Sequence, residues 1–227
     1  MKQHPALCNR IEQYVAQKLL PLLGCANRPF TLHETALGIH NLVFCLDIEG
    51  YRPLIVKGVR KRDRFHAICS CSHHLAASGI RVPGIVHAAE DRRLFGRLGC
   101  HIICEERIVG QTLFEKHAVA ELLPAAAELF AGMHAITQPC WGPLDRQRTD
   151  SLYGHLRGRL RDKLKQWQAA APDFPAEFYS RILSWIEPWR EPVGRIRLFS
   201  LSHGDPNPGN IIANAENELF LLDTGHI

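Results

Sequence analysis

A two-lobed α+β fold, a small antiparallel sheet followed by a mainly helical half, is predicted by three observations. Short apolar runs separated by turns fill residues 30–106, apolar residues at helical spacing dominate 118–168, and two apolar strands joined by a polar turn occupy 211–222. The 227 residues, 46% of them hydrophobic, suffice for a sizeable core in one large domain or two compact lobes. The boundary is placed between residues 106 and 107.

The leading segment, Ala6 to Leu23, sets Leu7, Ile11, Val15 and Leu19 at helical spacing among the polar Arg10, Gln13 and Lys18. This predicts an amphipathic helix whose apolar face belongs to the core. From Phe30 to Val59 the pattern shortens: Asn41 to Ile48 and Pro53 to Val59 read as a β-hairpin turned by Glu49-Gly50. Arg64 to Ser78 reads as a helix closed by Gly79, and Val82-Pro83 opens an extended segment. Short strands are expected at Gly84 to Ala89 and Cys100 to Glu106. Ala118 to Ile136 carries Leu122, Leu123, Ala126, Leu129, Phe130 and Met133 on one helical face, and Leu152 to Gln168 carries Leu156, Leu160, Leu164 and Trp167. The other face of the latter, with Arg157, Arg159, Arg161, Lys163 and Lys165, reads as a solvated charged surface. Pro188 to Gly194 reads as a connecting loop.

The charge balance, 27 Lys+Arg against 23 Asp+Glu, leaves +4. That suits a phosphorylated ligand and falls short of the basic footprint of a nucleic-acid binder, so no nucleic-acid partner is expected. Eight cysteines occur without a CxxC pair or a secretory leader and are expected to be reduced thiols. Cys69, Cys71, His73 and His74 cluster on a predicted helix, but their spacing fits no zinc pattern. No run of about 18 apolar residues is present to span a bilayer, so a cytoplasmic protein with no membrane partner is expected.

The most informative stretch is Leu201-Ser202-His203-Gly204-Asp205-Pro206-Asn207-Pro208-Gly209-Asn210, followed by two apolar runs and Asp223-Thr224-Gly225. A hairpin brings the residue before its first strand and the residue after its second to one end, so Asn210 and Asp223 should converge. An amide oxygen and a carboxylate at a loop edge suit Mg²⁺, which takes one or two protein carboxylates and fills its other positions with phosphate and water. Asp205 stands on the preceding loop, where Pro206, Pro208 and Gly209 restrict the backbone and would aim its carboxylate as a base. Asp-Thr-Gly after apolar residues is also found in aspartic proteases. That reading needs a following β-rich domain and a second such Asp, and only His226 and Ile227 remain after Gly225.

His-Gly-Asp-x-x-x-x-Asn, a strand pair and Asp-x-Gly together resemble the catalytic and metal loops of the aminoglycoside phosphotransferase and choline kinase superfamily, whose fold is that of the protein kinases. The resemblance implies that Asp205 is the catalytic base, that Asn210 and Asp223 hold Mg²⁺ against the phosphates of ATP, and that His203 supports the loop. Thr35 to Val43, with Gly38 and Asn41, resembles the superfamily's short phosphate loop, where the absent Cβ of glycine lets backbone approach phosphate. Lys57, alone in the apolar strand Pro53 to Val59, resembles the lysine that contacts the α- and β-phosphates. Ile103 to Gly110 resembles the segment that links the lobes and meets adenine, through its backbone more than through the side chains of Glu105 and Arg107. Leu129 to His134 resembles the first helix of the second lobe, with His134 a packed structural residue.

Two departures from the superfamily stand out. No glutamate occurs between Arg60 and Val86 to pair with Lys57, Ile68 or a neighbour standing where one is usual, and Asp63 is the only acid there. The chain also stops just after the Asp-x-Gly loop, before the helices that in the superfamily build much of the acceptor pocket, as a truncated form would. The implied activity is transfer of the ATP γ-phosphoryl group to a hydroxyl of a small molecule. Two alternatives are a catalytically impaired module that binds a nucleotide or partner, and a protein kinase, which HGD in place of HRD and the short segment after Asp223 disfavour.

Overall fold

The computed structural model describes residues 5–35, 42–116, 119–171 and 175–224. Its first sheet is built from the alternation just read. Strands β1 (Phe30–Glu34), β2 (Leu42–Ile48), β3 (Leu54–Val59), β4 (Ile85–Ala89) and β5 (His101–Glu106) form an antiparallel sheet in the order β1-β2-β3-β5-β4. The β2–β3 turn is at Glu49-Gly50, where Gly50 takes a left-handed φ of 67° and Arg28 donates to both carbonyls.

Successive side chains of a strand point to opposite faces, so the sheet has two cores. Phe44, Leu46, Ile48, Leu54, Val56, Ile102 and Cys104 pack against Ile11, Val15, Leu19 and Leu20 of the leading helical segment. That segment is α1 (Pro5–Tyr14), a π-helical stretch (Val15–Leu19) and a final turn α2 (Leu20–Leu22). On the opposite face Val59 and Ile103 meet Phe65 and Ile68 of helix α3 (Arg62–Ala77). Each large aliphatic side chain withdrawn from water contributes about 1.5–3 kcal/mol, so the two layers fix the strand register firmly. Helix α3 ends as expected, with Gly79 at φ 79°.

Between β4 and β5 lies a helix that the apolar pattern did not announce, α4 (Arg92–Leu98). Asp91 caps it by accepting the Arg93 N–H at 2.7 Å, and Gly99 closes it in a left-handed conformation. A second sheet, in the order β10-β9-β6, joins β6 (Gly110–Thr112) to the expected hairpin of β9 (Ile211–Asn214) and β10 (Leu219–Leu221). Gly110 is required there: a Cβ would lie 2.0 Å from the carbonyl oxygen of Ala213. Helix α5 (Val119–Ala135) buries Leu122, Ala126 and Met133. His134, expected to be packed, is exposed because it lies on the solvent side of that helix.

By contacts the chain forms two units, residues 1–135 with 202–227, and residues 136–201. The division expected after residue 106 does not coincide with this one, because β6 and the β9–β10 hairpin draw α5 and residues 202–224 into the unit of the first sheet. The second unit holds β7 (Thr137–Gln138), α6 (Leu152–Ala170), α7 (Ala176–Ile186), α8 (Arg190–Gly194) and β8 (Phe199–Ser200), with β7 and β8 paired. The expected loop at Pro188 to Gly194 is instead a 3₁₀ turn (Glu187–Trp189) leading into α8; the proline at its second position is compatible with a helix start, where the N–H has no partner to lose. Within the basic face of α6, Arg157 pairs with Glu187. The mixed helix and sheet composition and the antiparallel first sheet agree with the predicted fold class. No helix among the described residues is long and apolar enough to cross a membrane.

Candidate active site

Lys57 stands on β3 and Glu105 on β5, where Lys57 faces Ile103 and Ile55 faces Glu105. The two are therefore diagonal neighbours on one face of the sheet, within reach of long side chains. Their charged groups meet at 2.5 Å, with Lys57 15% and Glu105 7% exposed. This is the α3 face, and α3 presents Ile68 and Cys69 there, with no acid; burial, helped by the charge of Glu105, pushes the Cys69 thiol up to about 11. The side chain of Glu105, assigned little importance from sequence, is thus the acid that pairs with Lys57. Asp63, the alternative partner, is exposed in the first turn of α3.

The loop after β8 reaches Asp205 through Gly204, which takes φ 77°. Asn207 accepts the Gly209 N–H at 2.9 Å, turning the chain into a 3₁₀ segment (Pro208–Asn210) that delivers Asn210 to the start of β9. Asn210 then reaches back: its Nδ2 donates to the Asp205 carbonyl at 2.9 Å and to the Asp205 carboxylate at 3.1 Å. With the amide nitrogen so engaged, its oxygen is the atom left to face a cation.

The two ends of the hairpin converge as expected. The Leu222 N–H donates to the Asn210 carbonyl at 2.8 Å, and the Leu222 carbonyl accepts from His203 Nε2 at 2.8 Å. Because a carbonyl only accepts, His203 carries its proton on Nε2. His203 is 1% exposed, so it acts as a buried strut between the Asp205 loop and the Asp223 loop. Asp223 itself takes φ 51°, a left-handed conformation costly for a residue with a Cβ and typical of positions held for a purpose. It is anchored from α3: Thr224, next in the chain, exchanges a 2.8 Å hydrogen bond with buried Ser72, and Arg64 Nη2 lies 3.2 Å from both Asp223 oxygens. Since α3 also covers the Lys57 face of the sheet, one helix links the lysine pair to the carboxylate loop. Neither Arg64 nor Ser72 was singled out from sequence; both lie on a helix whose turn-by-turn pattern announces core and nothing else.

A profile of the phosphotransferase enzyme family (APH) matches residues 31–224. The chain belongs to that family. No curated protein is a significant match to it. Among solved structures, the aminoglycoside phosphotransferase APH(4)-Ia is similar at TM-score 0.69 and 15% identity, over 96% of this chain and 71% of that one. A thermostable mutant of it, in ternary complex with ADP and hygromycin B, is similar at TM-score 0.67 and 17% identity, over 94% and 71%. The GDP complex of a mutant aminoglycoside 2'-phosphotransferase-IIIa gives 0.59 and 14%, over 96% and 72%. At such identities the likeness is one of fold, and it agrees with the recognition made from the HGD and Asp-x-Gly loops.

In this member of the phosphotransferase family the remaining expected residues are placed as follows. Gly38 and Asn41 lie outside the described residues. Arg107 forks onto Asp47 with both terminal nitrogens, at 2.7 and 3.1 Å, and this bonding holds its guanidinium above the ordinary range. Its backbone N–H donates to the Pro53 carbonyl, and that of Glu106 to Gly84. A base bound along this segment would therefore meet other backbone groups than these two N–H donors.

The metal expectation can be tested on the donor set. Asn210 offers an amide oxygen and Asp223 a carboxylate 34% exposed. Hard oxygen donors in this number fit Mg²⁺.

Proposed function

We propose that the chain is a small-molecule kinase that moves the γ-phosphoryl group of ATP to a hydroxyl of a small acceptor. The observation that carries this reading is the bonding of Asp205, Asn210 and the residue before Asp223 into one hydrogen-bonded unit, anchored by α3 on the sheet face that carries Lys57. Phosphoryl transfer asks little covalent chemistry of the protein; positioning and charge neutralisation do the work.

Asn210 and Asp223 would hold Mg²⁺, which when bound neutralises phosphate charge. Lys57, kept extended by Glu105, is the fixed positive charge for the phosphate chain. Asp205, its carboxylate oriented by Asn210, accepts the hydrogen bond of the acceptor hydroxyl and takes its proton as the new O–P bond forms. Gly38 and Asn41, which precede β2 in the chain, would add backbone contacts to phosphate. ADP and hygromycin B in the complex of one structural relative, and GDP in that of another, support a nucleotide donor and a small-molecule acceptor. The pairing of Lys57 with Glu105 favours the active enzyme over an impaired binding module, since it supplies the acid that α3 lacks.

Asp205→Asn should abolish transfer, by about 10²–10⁴-fold for loss of a positioned base, while ATP binding measured by calorimetry stays within about threefold. A variant with undiminished turnover would remove Asp205 from the mechanism.

A further inference from the structure

Arg64 has no part in the reading above, yet it is a cation in contact with the proposed metal carboxylate. It lies in the first turn of α3, is 17% exposed, and places a single nitrogen, Nη2, at 3.2 Å from both oxygens of Asp223. A guanidinium satisfied by a carboxylate usually uses two nitrogens, as Arg107 does with Asp47 at 2.7 and 3.1 Å. Arg64 uses one, shared between both oxygens, and its Nε is buried with no hydrogen-bond partner. The fork is therefore built for an acceptor that Asp223 does not supply.

The charges around it say which kind. A divalent cation on Asp223 would stand beside the guanidinium and repel it, while taking the same lone pairs. Phosphate oxygens of a nucleotide bound with such a cation would be anionic acceptors of the kind a guanidinium matches through two N–H donors. Lys57 has its own acid in Glu105.

We propose that Arg64 is a phosphate-binding residue that changes partners: it pairs with Asp223 in the nucleotide-free protein and with phosphate oxygens of the bound nucleotide. The helix that in other kinases contributes an acid to the lysine here contributes a cation to the phosphates, and the acid comes from β5. This rests on the reading of the site as one for a Mg²⁺-nucleotide.

The test uses the full chain, with Arg64→Met and Arg64→Gln, the latter retaining a polar group for Asp223 and so the fold. Mn²⁺ binding to nucleotide-free protein is followed by electron paramagnetic resonance, and ADP binding in excess chelator by calorimetry. Both variants should bind Mn²⁺ about tenfold more tightly than the parent, because the competing cation is gone. Both should bind metal-free ADP about tenfold more weakly, about 1.4 kcal/mol at 25 °C, because a charged phosphate donor is gone. Metal-free ADP affinity within twofold of the parent in the folded variants would overturn the phosphate role and leave Arg64 a counter-ion to Asp223. A parent chain that binds ADP neither with Mg²⁺ nor without it would overturn the nucleotide reading itself, and this proposal with it.

Discussion

Replacing Glu105 by Gln removes one charge of a buried pair and keeps its shape. With Lys57 15% and Glu105 7% exposed, water screens neither group well, and the same sheet face carries the apolar Val59 and Ile103. Breaking such a pair by neutralising one partner costs about 3–5 kcal/mol, chiefly because the other charge stays buried alone. The residual exposure of Lys57 places the loss near the lower limit, about 3 kcal/mol. At about 2–4 °C per kcal/mol for a chain of this size, Glu105→Gln should melt roughly 6–12 °C below the parent. The double variant Lys57→Met/Glu105→Met removes both charges in apolar groups of similar volume, and should recover to within about 1 kcal/mol of the parent while losing nucleotide binding. Thermal and urea unfolding followed by circular dichroism read both numbers. A Glu105→Gln protein that melts within about 2 °C of the parent refutes the buried pair; a double variant no more stable than the single one shows that packing, and not the uncompensated ammonium, sets the loss.

Gly110→Ala should cost about 3 kcal/mol or more and uncouple β6 from β9, since its Cβ would lie 2.0 Å from a backbone oxygen that no rotamer can move; urea unfolding and transfer assays should fall together. Stability should also decline in mild acid. Burial lowers the His87 and His101 imidazoles below their ordinary 6.5, His87 Nε2 sharing a hydrogen bond with the Tyr14 hydroxyl and His101 lying between Phe65 and Phe95. Between the folded and unfolded values the unfolded chain binds more protons, so the contribution is fully present above about pH 6.5 and is lost as pH falls through the folded value. Melting temperatures recorded from about pH 8 to 5 should be flat and then drop, and His87→Gln should shallow the drop.

How much of this was legible in the sequence follows the range of the interactions. The hairpin that joins Asn210 to Asp223 was readable because its logic is local: two short apolar runs, one polar turn, and chemistry at the ends. The β2–β3 hairpin and the helix closed by Gly79 were readable for the same reason. Helix α4 was hidden because it is short and charged, and its only signals were the Asp91 cap and Gly99. Strand β6 was hidden because three residues carry no period, although Gly110 marked a close backbone approach.

The site shows the limit most clearly. Between Arg60 and Val86 the sequence holds no glutamate for Lys57, and helix α3 presents none to it. The acid that exists is 48 residues away in the chain and two positions off register on the second strand after β3, a relation set by the β3–β5 pairing and by which face of the sheet α3 covers. A fully buried strand such as β5 gives no alternation to say which of Glu105 and Glu106 points inward. Register decides it, since Glu105 falls on the Lys57 face and Glu106 on the other, where Arg52 meets it. The same face assignment explains why α3 could lose an acid and present Arg64 to Asp223: once β5 supplies the counter-charge for Lys57, a glutamate on the helix would add a second buried anion with no cation left to match it.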